Sequence, residues 1–319
     1  EESRASIREW TGLTAGAELE SVLKGLRSPE TRLAKAPPEL KAELRPYQQT
    51  GYSWLRFVAR LGLGACLADD MGLGKTVQVI SLLLDLKREP SQKGAASLLV
   101  VPASLIANWK SELDRFAPSL SYAVVHPSEL NAKGSEIGPE DVGAFDLIVT
   151  TYGMLVRTDW MKRHHWRLAI LDEAQAIKNA GTKQTRAVKE LAAGARIAMT
   201  GTPVENRLSD LWSLFDFLNP GLLGTAKQFS SFVKTLQDGP APSFEPLRNL
   251  VRPYILRRLK TDKRVIADLP EKTEVKAYCS LSKHQAALYQ KAVDELAEQL
   301  GSADGIQRRG VVLAQLMRL

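Results

Sequence analysis

The stretch "LADDMGLGKTVQ", residues 67–78, contains most of a phosphate-binding loop. Such loops usually read G-x-x-x-x-G-K-[ST]. Counting back from Gly74, Lys75 and Thr76 puts Asp69 where the first glycine is expected. The stretch is therefore either a variant of the loop or a chance match, and the surrounding sequence has to decide between them.

The flanks of this stretch are typical of a strand-to-helix turn. An apolar run precedes it at residues 62–67, and "KTVQVISLLLDLK" from Lys75 onward has the apolar spacing of a helix. The two glycines would let main-chain N–H groups surround phosphate oxygens at the helix N-terminus. Lys75 would then reach the β- and γ-phosphates, and the Thr76 hydroxyl would bind Mg²⁺. The alternative is a glycine-rich turn that binds no ligand.

Composition indicates a folded protein. Of the 319 residues, 44% are hydrophobic and 25% are charged, which excludes a disordered chain. A net charge of +7 permits nucleic-acid binding without proving it. Cys66 and Cys279 lie far apart in the sequence, so we expect both cysteines to be reduced core residues of a cytosolic protein. The sequence has no apolar run of about 18 residues, and its charged first residues are unlike a signal peptide, so we expect no membrane partner.

Short apolar runs alternate with helical patterns along the chain. This alternation predicts an α/β fold with a mostly parallel sheet and helices on both faces. Ligands of such sheets bind at the carboxyl ends of the strands. The predicted strands are 63–68, 97–101, 121–125, 145–150, 167–172 and 195–200, and the clearest helices between them are 103–116 and 182–194.

Two further loops carry residues suited to phosphate chemistry. Asp172 and Glu173 follow the apolar run "LAIL". Asp172 would hold Mg²⁺ and Glu173 would orient or deprotonate the attacking water, although Asp172 is also a suitable helix cap. The segment "TGTPVEN", residues 200–206, would sense the γ-phosphate, or it is simply a turn closed by Pro203.

Five segments stand in a fixed order along the chain: "LRPYQQTGYSWL" (44–55), "LADDMGLGKTVQ" (67–78), "LLVVPASLIANW" (98–109), "LAILDEAQAIKN" (168–179) and "MTGTPVENRLSDLWSLFDFLNPGLLG" (199–224). In this order they resemble the motifs of the Swi/Snf-type ATPases of helicase superfamily 2. In that family the first loop typically reads D-E-M-G-L-G-K-T, so Asp69 is the family's form of the loop, while Asp70 replaces the more usual Glu. The resemblance covers most of the chain from Leu40 to Leu319.

The resemblance implies a RecA-like P-loop NTPase lobe with an α-helical protrusion. The last residues, "VVLAQLMRL", have helical spacing without a cap, so we expect the chain to be truncated here. The resemblance implies that a second RecA-like lobe follows and supplies arginines that complete the ATP site. The expected divisions are the tail of an upstream helical domain (1–36), the ATPase lobe (37–224), the helical protrusion (225–272), a strand returning to the lobe (273–281) and further helices of the protrusion (282–319).

The resemblance also assigns an ATP site with Mg²⁺ as cofactor. Gln48 would recognise adenine through its amide. Lys75, Asp172 and Glu173 would be catalytic, and Thr76 and Asp172 would bind the metal. The other residues expected to contact ATP are Asp70, Met71, Gly72, Leu73, Gly74 and Gln175, and those expected to link the nucleotide to lobe movement are Gln175, Thr200, Gly201, Thr202 and Asn206.

Double-stranded DNA is the partner that the resemblance implies, held through its phosphate backbone. Main-chain N–H groups and hydroxyls after two strands would contact phosphates without reading bases. Trp109 is interpreted as a core residue rather than a base-stacking one. The basic run 257–260 is either a phosphate or interlobe contact or a solvated surface. The expected DNA contacts are Pro102, Ser104, Lys110, Thr151 and Tyr152.

The sequence thus predicts the N-terminal, ATP-binding half of an ATP-dependent double-stranded DNA translocase. The alternatives are a strand-separating helicase of the same superfamily and a nucleotide- or DNA-binding module without catalysis. Because an arginine from the second lobe would be missing, we expect this chain alone to hydrolyse ATP poorly. Such a protein would work in the nucleoid-containing cytoplasm of a bacterium or archaeon, or in a eukaryotic nucleus.

Overall fold

The computed structural model of the chain describes residues 33–89, 95–128, 137–201, 208–238, 243–262 and 280–302. The strands are β1 (Ala65–Leu67), β2 (Ser97–Val101), β3 (Tyr122–Val125), β4 (Leu147–Thr151), β5 (His165–Leu171), β6 (Ala192–Met199) and β7 (Ile255–Leu256). The helices are α1 (Pro46–Arg60), α2 (Lys75–Lys87), α3 (Ile106–Phe116), α4 (Tyr152–Arg157), α5 (Asp159–Arg163), α6 (Lys183–Lys189), α7 (Leu208–Leu218), α8 (Ala226–Asp238), α9 (Glu245–Val251) and α10 (Lys283–Ser302).

The seven strands form one parallel sheet in the order β3-β4-β2-β5-β6-β1-β7. All six predicted strands are present, and the predicted α/β fold with a parallel sheet is confirmed. In the register, Leu67 pairs with Met199, and Ala198 pairs with Leu171. The loops that follow β1, β5 and β6 therefore leave the sheet side by side at one edge.

Helices cover both faces of this sheet. Along β2 the side chains alternate between two cores: Leu99 and Val101 belong to one cluster, and Leu98 and Val100 belong to the other. Helices α1, α2 and α3 contribute to the first cluster, whereas α4 to α7 contribute to the second. Burial on both faces explains why the strands read as continuous apolar runs rather than alternating ones.

Strand β6 begins earlier than the sequence predicts. The helical pattern predicted for residues 182–194 ends at Lys189, and Ala192 already pairs with His165 of β5. The run "AAGARIAM" is rich in alanine, which favours helices in isolation. Pairing with β5 overrides that preference, because strand formation depends on packing and burial against neighbouring strands, and most of the second half of β6 is buried in the sheet.

Strand β7 was missed by the sequence analysis. It pairs in parallel with β1, Cys66 with Ile255 and Leu67 with Leu256. It lies inside residues 225–272, which were assigned to a helical protrusion, so that range is not helical throughout. The strand expected at 273–281 lies almost wholly outside the described residues. The chain thus already returns to the sheet after α9. A strand of only two residues, Ile255 and Leu256, before a basic run is too short to be predicted from the sequence pattern.

A third, smaller core joins the helices that follow the sheet. Phe229 of α8 and Leu247 and Val251 of α9 pack with Leu211 and Phe215 of α7. The chain divides into two compact units, Glu1–Asp268 and Leu269–Leu319, and α10 is the helix described in the second. Within the described part of the chain, no helix combines the length and apolar character needed to span a membrane.

A buried ion pair joins the segment after β7 to the phosphate loop. Asp69 is fully buried, and Arg258 is 8% exposed. The main-chain N–H and Nε of Arg258 donate to Oδ1 of Asp69 at 3.1 and 2.9 Å, and Nη2 donates to Oδ2. Arg258 also donates to the main-chain oxygen of Tyr47 in α1 and, at 2.8 Å, to Oε1 of Gln78 in α2. One guanidinium thus joins the loop to both helices beside it.

The close approach of these groups requires a glycine in α1. A Cβ atom at Gly51 would lie 1.8 Å from Oε1 of Gln78 and 2.6 Å from Nη2 of Arg258. Neither atom can move away without losing its hydrogen bond inside the protein. Gly51 is costly in a helix interior, and the Arg258 cluster explains why it stands there.

We predict that Arg258→Ala lowers the free energy of unfolding of this unit by about 3–5 kcal/mol, since it leaves the Asp69 carboxylate buried without a charged partner. Denaturant titration followed by tryptophan fluorescence measures the effect. The adjacent Arg257 is exposed and provides the matched control, because surface substitutions usually change stability by less than about 0.5 kcal/mol. Equal stability losses for Arg257→Ala and Arg258→Ala would contradict the importance of the buried pair.

Candidate nucleotide site

The turn between β1 and α2 has the backbone of a phosphate-binding loop. Gly72 and Gly74 have φ angles of +80° and +71°, a conformation that residues with a side chain rarely adopt. A Cβ atom at Gly74 would also lie 2.4 Å from Nε2 of Gln48. Lys75 and Thr76 then begin α2. The first main-chain N–H groups of a helix lack intrahelical partners, so this N-terminus offers donors to an anion.

The Lys75 ammonium is held over this loop by neutral groups. Its Nζ donates to the main-chain oxygen of Asp69 at 2.7 Å and lies 3.5 Å from that of Asp70. Among the described residues no carboxylate forms an ion pair with Lys75. Lys75 also interacts electrostatically with the Asp172 carboxylate. The hydrogen bonds described for its ammonium go to two carbonyl oxygens, and a polyphosphate would be a stronger partner than these.

Gln48, the expected adenine-binding residue, lies against the same loop. Its Nε2 donates to the main-chain oxygen of Leu73 at 3.2 Å, and its Oε1 accepts from the main-chain N–H of Arg45 at 3.0 Å. The second bond belongs to a capping arrangement at the start of α1. Gln48 is thereby fixed at the loop, while its contact with adenine stays a prediction.

Asp172 follows β5 with its carboxylate held at both oxygens. Oδ1 accepts from the main-chain N–H of Glu173 at 2.9 Å, and Oδ2 accepts from Nε1 of Trp109 at 2.8 Å. Burial is the main cause that raises the pKa of the Asp172 carboxyl. Asp172 does not cap the turn that follows, Ala174–Ile177, because Glu173 occupies the N-cap position. The alternative of a simple helix cap is therefore wrong.

Glu173 has a strained backbone. Its φ of 49° and ψ of 54° are left-handed, and it is the only described residue other than glycine with a positive φ. Such a conformation costs about 1–3 kcal/mol and is typical of functional positions. The Glu173 side chain accepts a hydrogen bond at 2.7 Å from Nε2 of Gln175.

Gln175 connects two loops of the site. Its Oε1 accepts from the Thr200 hydroxyl at 3.0 Å, so a chain of hydrogen bonds runs from Glu173 through Gln175 to Thr200. The structure therefore brings these expected coupling residues together. Gly201 lies beside Met71 of the phosphate loop, since a Cβ there would be 3.4 Å from the Met71 side chain. Thr202 and Asn206 lie outside the described residues.

The donors at this edge fit Mg²⁺ bound together with a nucleotide. Mg²⁺ is usually held by one or two carboxylates plus substrate phosphates and waters. Thr76 supplies a hydroxyl, and the Asp172 carboxylate has acceptor positions left after its two hydrogen bonds. No group of three or more His, Cys, Asp or Glu side chains able to hold a metal exists in the described ranges. A metal here would therefore depend on the phosphates of its substrate.

The expected DNA contacts lie at the same edge of the sheet but differ in character. Pro102 and Ser104 belong to the turn after β2, and Ser104 is exposed. Lys110 is half-buried in α3. The Thr151 hydroxyl accepts from the main-chain N–H of Met154 and caps α4. Main-chain groups of these residues and the Ser104 side chain are thus at the surface. The contact of these residues with DNA stays a prediction.

Tyr152 differs from the expectation that its hydroxyl contacts DNA. It is 5% exposed, and its hydroxyl donates to the main-chain oxygen of Asp172 at 2.7 Å. The hydroxyl is therefore occupied inside the protein, because a buried phenol needs a hydrogen-bond partner. Any contact of this residue with DNA would have to come from its main chain.

Lys260 is a candidate site residue that the sequence analysis did not single out. Its main-chain N–H donates to Oδ2 of Asp70 at 3.0 Å. Its Nζ lies 2.9 Å from the position that a Cβ atom at Gly72 would take. The basic run 257–260 therefore divides: Arg257 is exposed, Arg258 is buried beneath the phosphate loop, and Lys260 places a second ammonium over it.

Comparison with known proteins gives a consistent result. The model of the SNF2-related domain matches residues 47–318. YwqA of Bacillus subtilis is 42% identical over 306 residues, which cover 95% of this chain and 33% of YwqA. The TATA-binding protein-associated factor MOT1 of Saccharomyces cerevisiae is 36% identical over 317 residues, 89% of this chain and 17% of MOT1.

A solved structure also resembles this chain. The SWI2/SNF2 ATPase core of Sulfolobus solfataricus in complex with dsDNA is 44% identical, with a TM-score of 0.67. The match covers 90% of this chain and 59% of the Sulfolobus chain. The present chain thus spans less than two thirds of each of these proteins.

We predict that Lys75→Ala weakens ATP binding about 10- to 100-fold, the range for a lost hydrogen bond to a charged group. Thermal stability should stay near wild type, because the hydrogen bonds described for the Lys75 ammonium go to main-chain oxygens of the loop, which keep access to water when the side chain is removed. Titration with a fluorescent ATP analogue measures the affinity. Lys87→Ala, at the other end of α2, is the control and should bind ATP normally. Unchanged affinity in Lys75→Ala would show that phosphates bind elsewhere.

Proposed function

We propose, from the premise that this chain belongs to the SNF2-related domain family, that it is the ATP-binding lobe of an ATP-dependent double-stranded DNA translocase that remodels protein–DNA complexes. One observation carries the proposal. The phosphate loop, the acids Asp172 and Glu173 and the Thr200 loop meet at one edge of the sheet, and Gln175 connects the last two. The Sulfolobus ATPase core, a relative in sequence and fold, is seen in complex with dsDNA and supports the choice of substrate.

The residues at this edge divide the work of ATP hydrolysis. Lys75 and the loop N–H groups bind the β- and γ-phosphates, and Thr76 and Asp172 hold Mg²⁺. Bound Mg²⁺ supplies neutralisation of phosphate charge. Gln175 donates to one carboxylate oxygen of Glu173, which leaves the other oxygen to orient the attacking water and accept its proton.

The hydrogen-bond chain from Glu173 to Thr200 gives the site a means to respond to hydrolysis. When the water is consumed and the γ-phosphate leaves, the partners of Glu173 change. Gln175 and Thr200 then have to adjust, because each bonds to the next. Thr200 also donates its main-chain N–H to Leu67 at the end of β1, so the adjustment reaches the strand that carries the phosphate loop.

The DNA grip that we propose is electrostatic and independent of base sequence. The turn Ala103–Leu105, which includes Ser104, and the start of α4 present main-chain and hydroxyl groups at the edge that also holds the nucleotide site. Lys110 lies in α3, the helix that follows this turn. Contacts of this kind position a protein on the duplex without reading it. The chain's net charge of +7 favours such contacts.

The proposal also includes a second lobe and a cellular location. A second RecA-like lobe would close the nucleotide site and supply an arginine to the transferring phosphate, a group that raises rates about 10³- to 10⁵-fold in related P-loop enzymes. The protein would act where cellular DNA lies, in the nucleoid of a bacterium or archaeon or in a eukaryotic nucleus.

We predict that Glu173→Gln retains ATP binding and loses hydrolysis about 10²- to 10⁴-fold, since the metal ligand remains while the general base is removed. Nucleotide affinity and steady-state phosphate release of the full-length protein with duplex DNA measure the two effects. Glu190→Gln, an exposed acid at the end of α6, is the control and should leave both unchanged. Wild-type turnover in Glu173→Gln would assign the base to another residue.

We predict that binding to duplex DNA is insensitive to base sequence and falls steeply with salt. The slope of log K against log salt should be about −0.9 for each phosphate contacted. Lys110→Ala should reduce that slope by about one contact for every sequence tested, whereas Lys183→Ala, an exposed lysine on α6, should not. Titration of unrelated duplexes at several salt concentrations tests this. A strong preference for one sequence, or the absence of a salt slope, would contradict a backbone-tracking translocase.

A further inference from the structure

Trp109 makes an unusual contact for a core tryptophan. It is 1% exposed in α3, and its Nε1–H donates to Oδ2 of Asp172 at 2.8 Å. A buried indole N–H needs an acceptor, and a main-chain oxygen is sufficient. Trp166 shows this ordinary arrangement, since it is fully buried and donates to the main-chain oxygen of Met161 at 2.8 Å. Trp109 instead donates to a carboxylate of the nucleotide site.

The contact determines how Asp172 is oriented. The other donor to the carboxylate, the main-chain N–H of Glu173, belongs to the next residue in the chain. Trp109 is 63 residues away and belongs to a different element. Of the hydrogen bonds described for the Asp172 carboxylate, only the one from Trp109 therefore ties it to a separate part of the fold. Two donors on two oxygens fix the plane of the carboxylate.

We infer that Trp109 is a positioning residue for the metal: its indole N–H holds the Asp172 carboxylate in the orientation that binds Mg²⁺ with the nucleotide. The inference rests on the proposed nucleotide site. Groups that orient a metal ligand commonly change metal affinity 10- to 100-fold when removed. The helix that carries Trp109 follows the turn Ala103–Leu105, which is an expected DNA contact. The Trp109 side chain therefore connects this helix directly to the metal ligand Asp172.

Trp109→Phe tests the inference, because it keeps an aromatic ring and removes the N–H. ADP affinity is measured by titration at increasing Mg²⁺ concentrations and also in EDTA. We expect the variant to bind ADP with wild-type affinity in EDTA. The Mg²⁺ concentration that gives half of the Mg²⁺-dependent gain in ADP affinity should be about 10-fold or more higher than in the wild type. Trp166→Phe removes an equally buried indole N–H elsewhere in the lobe and should need no more Mg²⁺ than the wild type.

A second substitution separates positioning from packing. Replacing Trp109 by 3-benzothienylalanine keeps the shape of the indole and exchanges its N–H for sulfur, so the fold is retained and only the hydrogen bond is lost. It should raise the Mg²⁺ requirement as Trp109→Phe does. A wild-type Mg²⁺ requirement in this variant overturns the inference and leaves the proposed site standing. If Mg²⁺ has no effect on ADP binding by the wild type, the proposed metal site at Thr76 and Asp172 is wrong and the inference falls with it, whereas a wild type that binds no ADP at all contradicts the proposed nucleotide site.

Discussion

The buried ion pair between Asp69 and Arg258 is the constraint on which the phosphate loop depends. A carboxylate and a guanidinium are stable inside a protein only when they are paired and further hydrogen-bonded. Here Asp69 accepts three hydrogen bonds from Arg258 and a fourth, at 3.3 Å, from Gln78. The first position of the loop is thus held by a residue 189 positions later in the chain. A loop without its first glycine is stable because its start is fixed from outside.

The positions of the other site residues follow from the order of the strands in the sheet. The Asp69–Arg258 pair contributes to this order because Arg258 follows β7, the strand beside β1. Strand β7 extends the sheet beyond β1, and the ladder continues along the loop, where the main-chain N–H of Asp70 donates to the oxygen of Arg258 at 3.1 Å. On the other side, β6 and β5 deliver Thr200 and Asp172 to the same edge. Side chains from distant elements then complete the geometry, Gln48 at the loop and Trp109 at Asp172.

The sequence predicts the parts of this site that depend on local patterns. Six strands, the glycine-rich turn and the acids after β5 are each visible in a short window, because buried parallel strands are apolar runs and chemistry follows their ends. The partner of Asp69 is not visible in this way. Arg258 lies in a basic run that resembles a solvated surface, and only the long-range return of β7 buries it. Trp109 likewise reads as a core residue, which it is, but its hydrogen bond to Asp172 joins residues 63 positions apart.

The most direct measurement is the nucleotide affinity of Asp69→Gly, a substitution that restores the usual G-x-x-x-x-G-K-[ST] sequence of the loop. If Asp69 merely replaces a glycine, this substitution should strengthen ATP binding. If the ion pair fixes the loop, the substitution leaves Arg258 buried without its partner. We predict that Asp69→Gly binds ATP more weakly than the wild type and unfolds at a lower denaturant concentration, whereas Asp70→Glu, which introduces the residue more usual in such loops, keeps both properties. ATP affinity in Asp69→Gly equal to or tighter than wild type would show that the ion pair does not fix the loop.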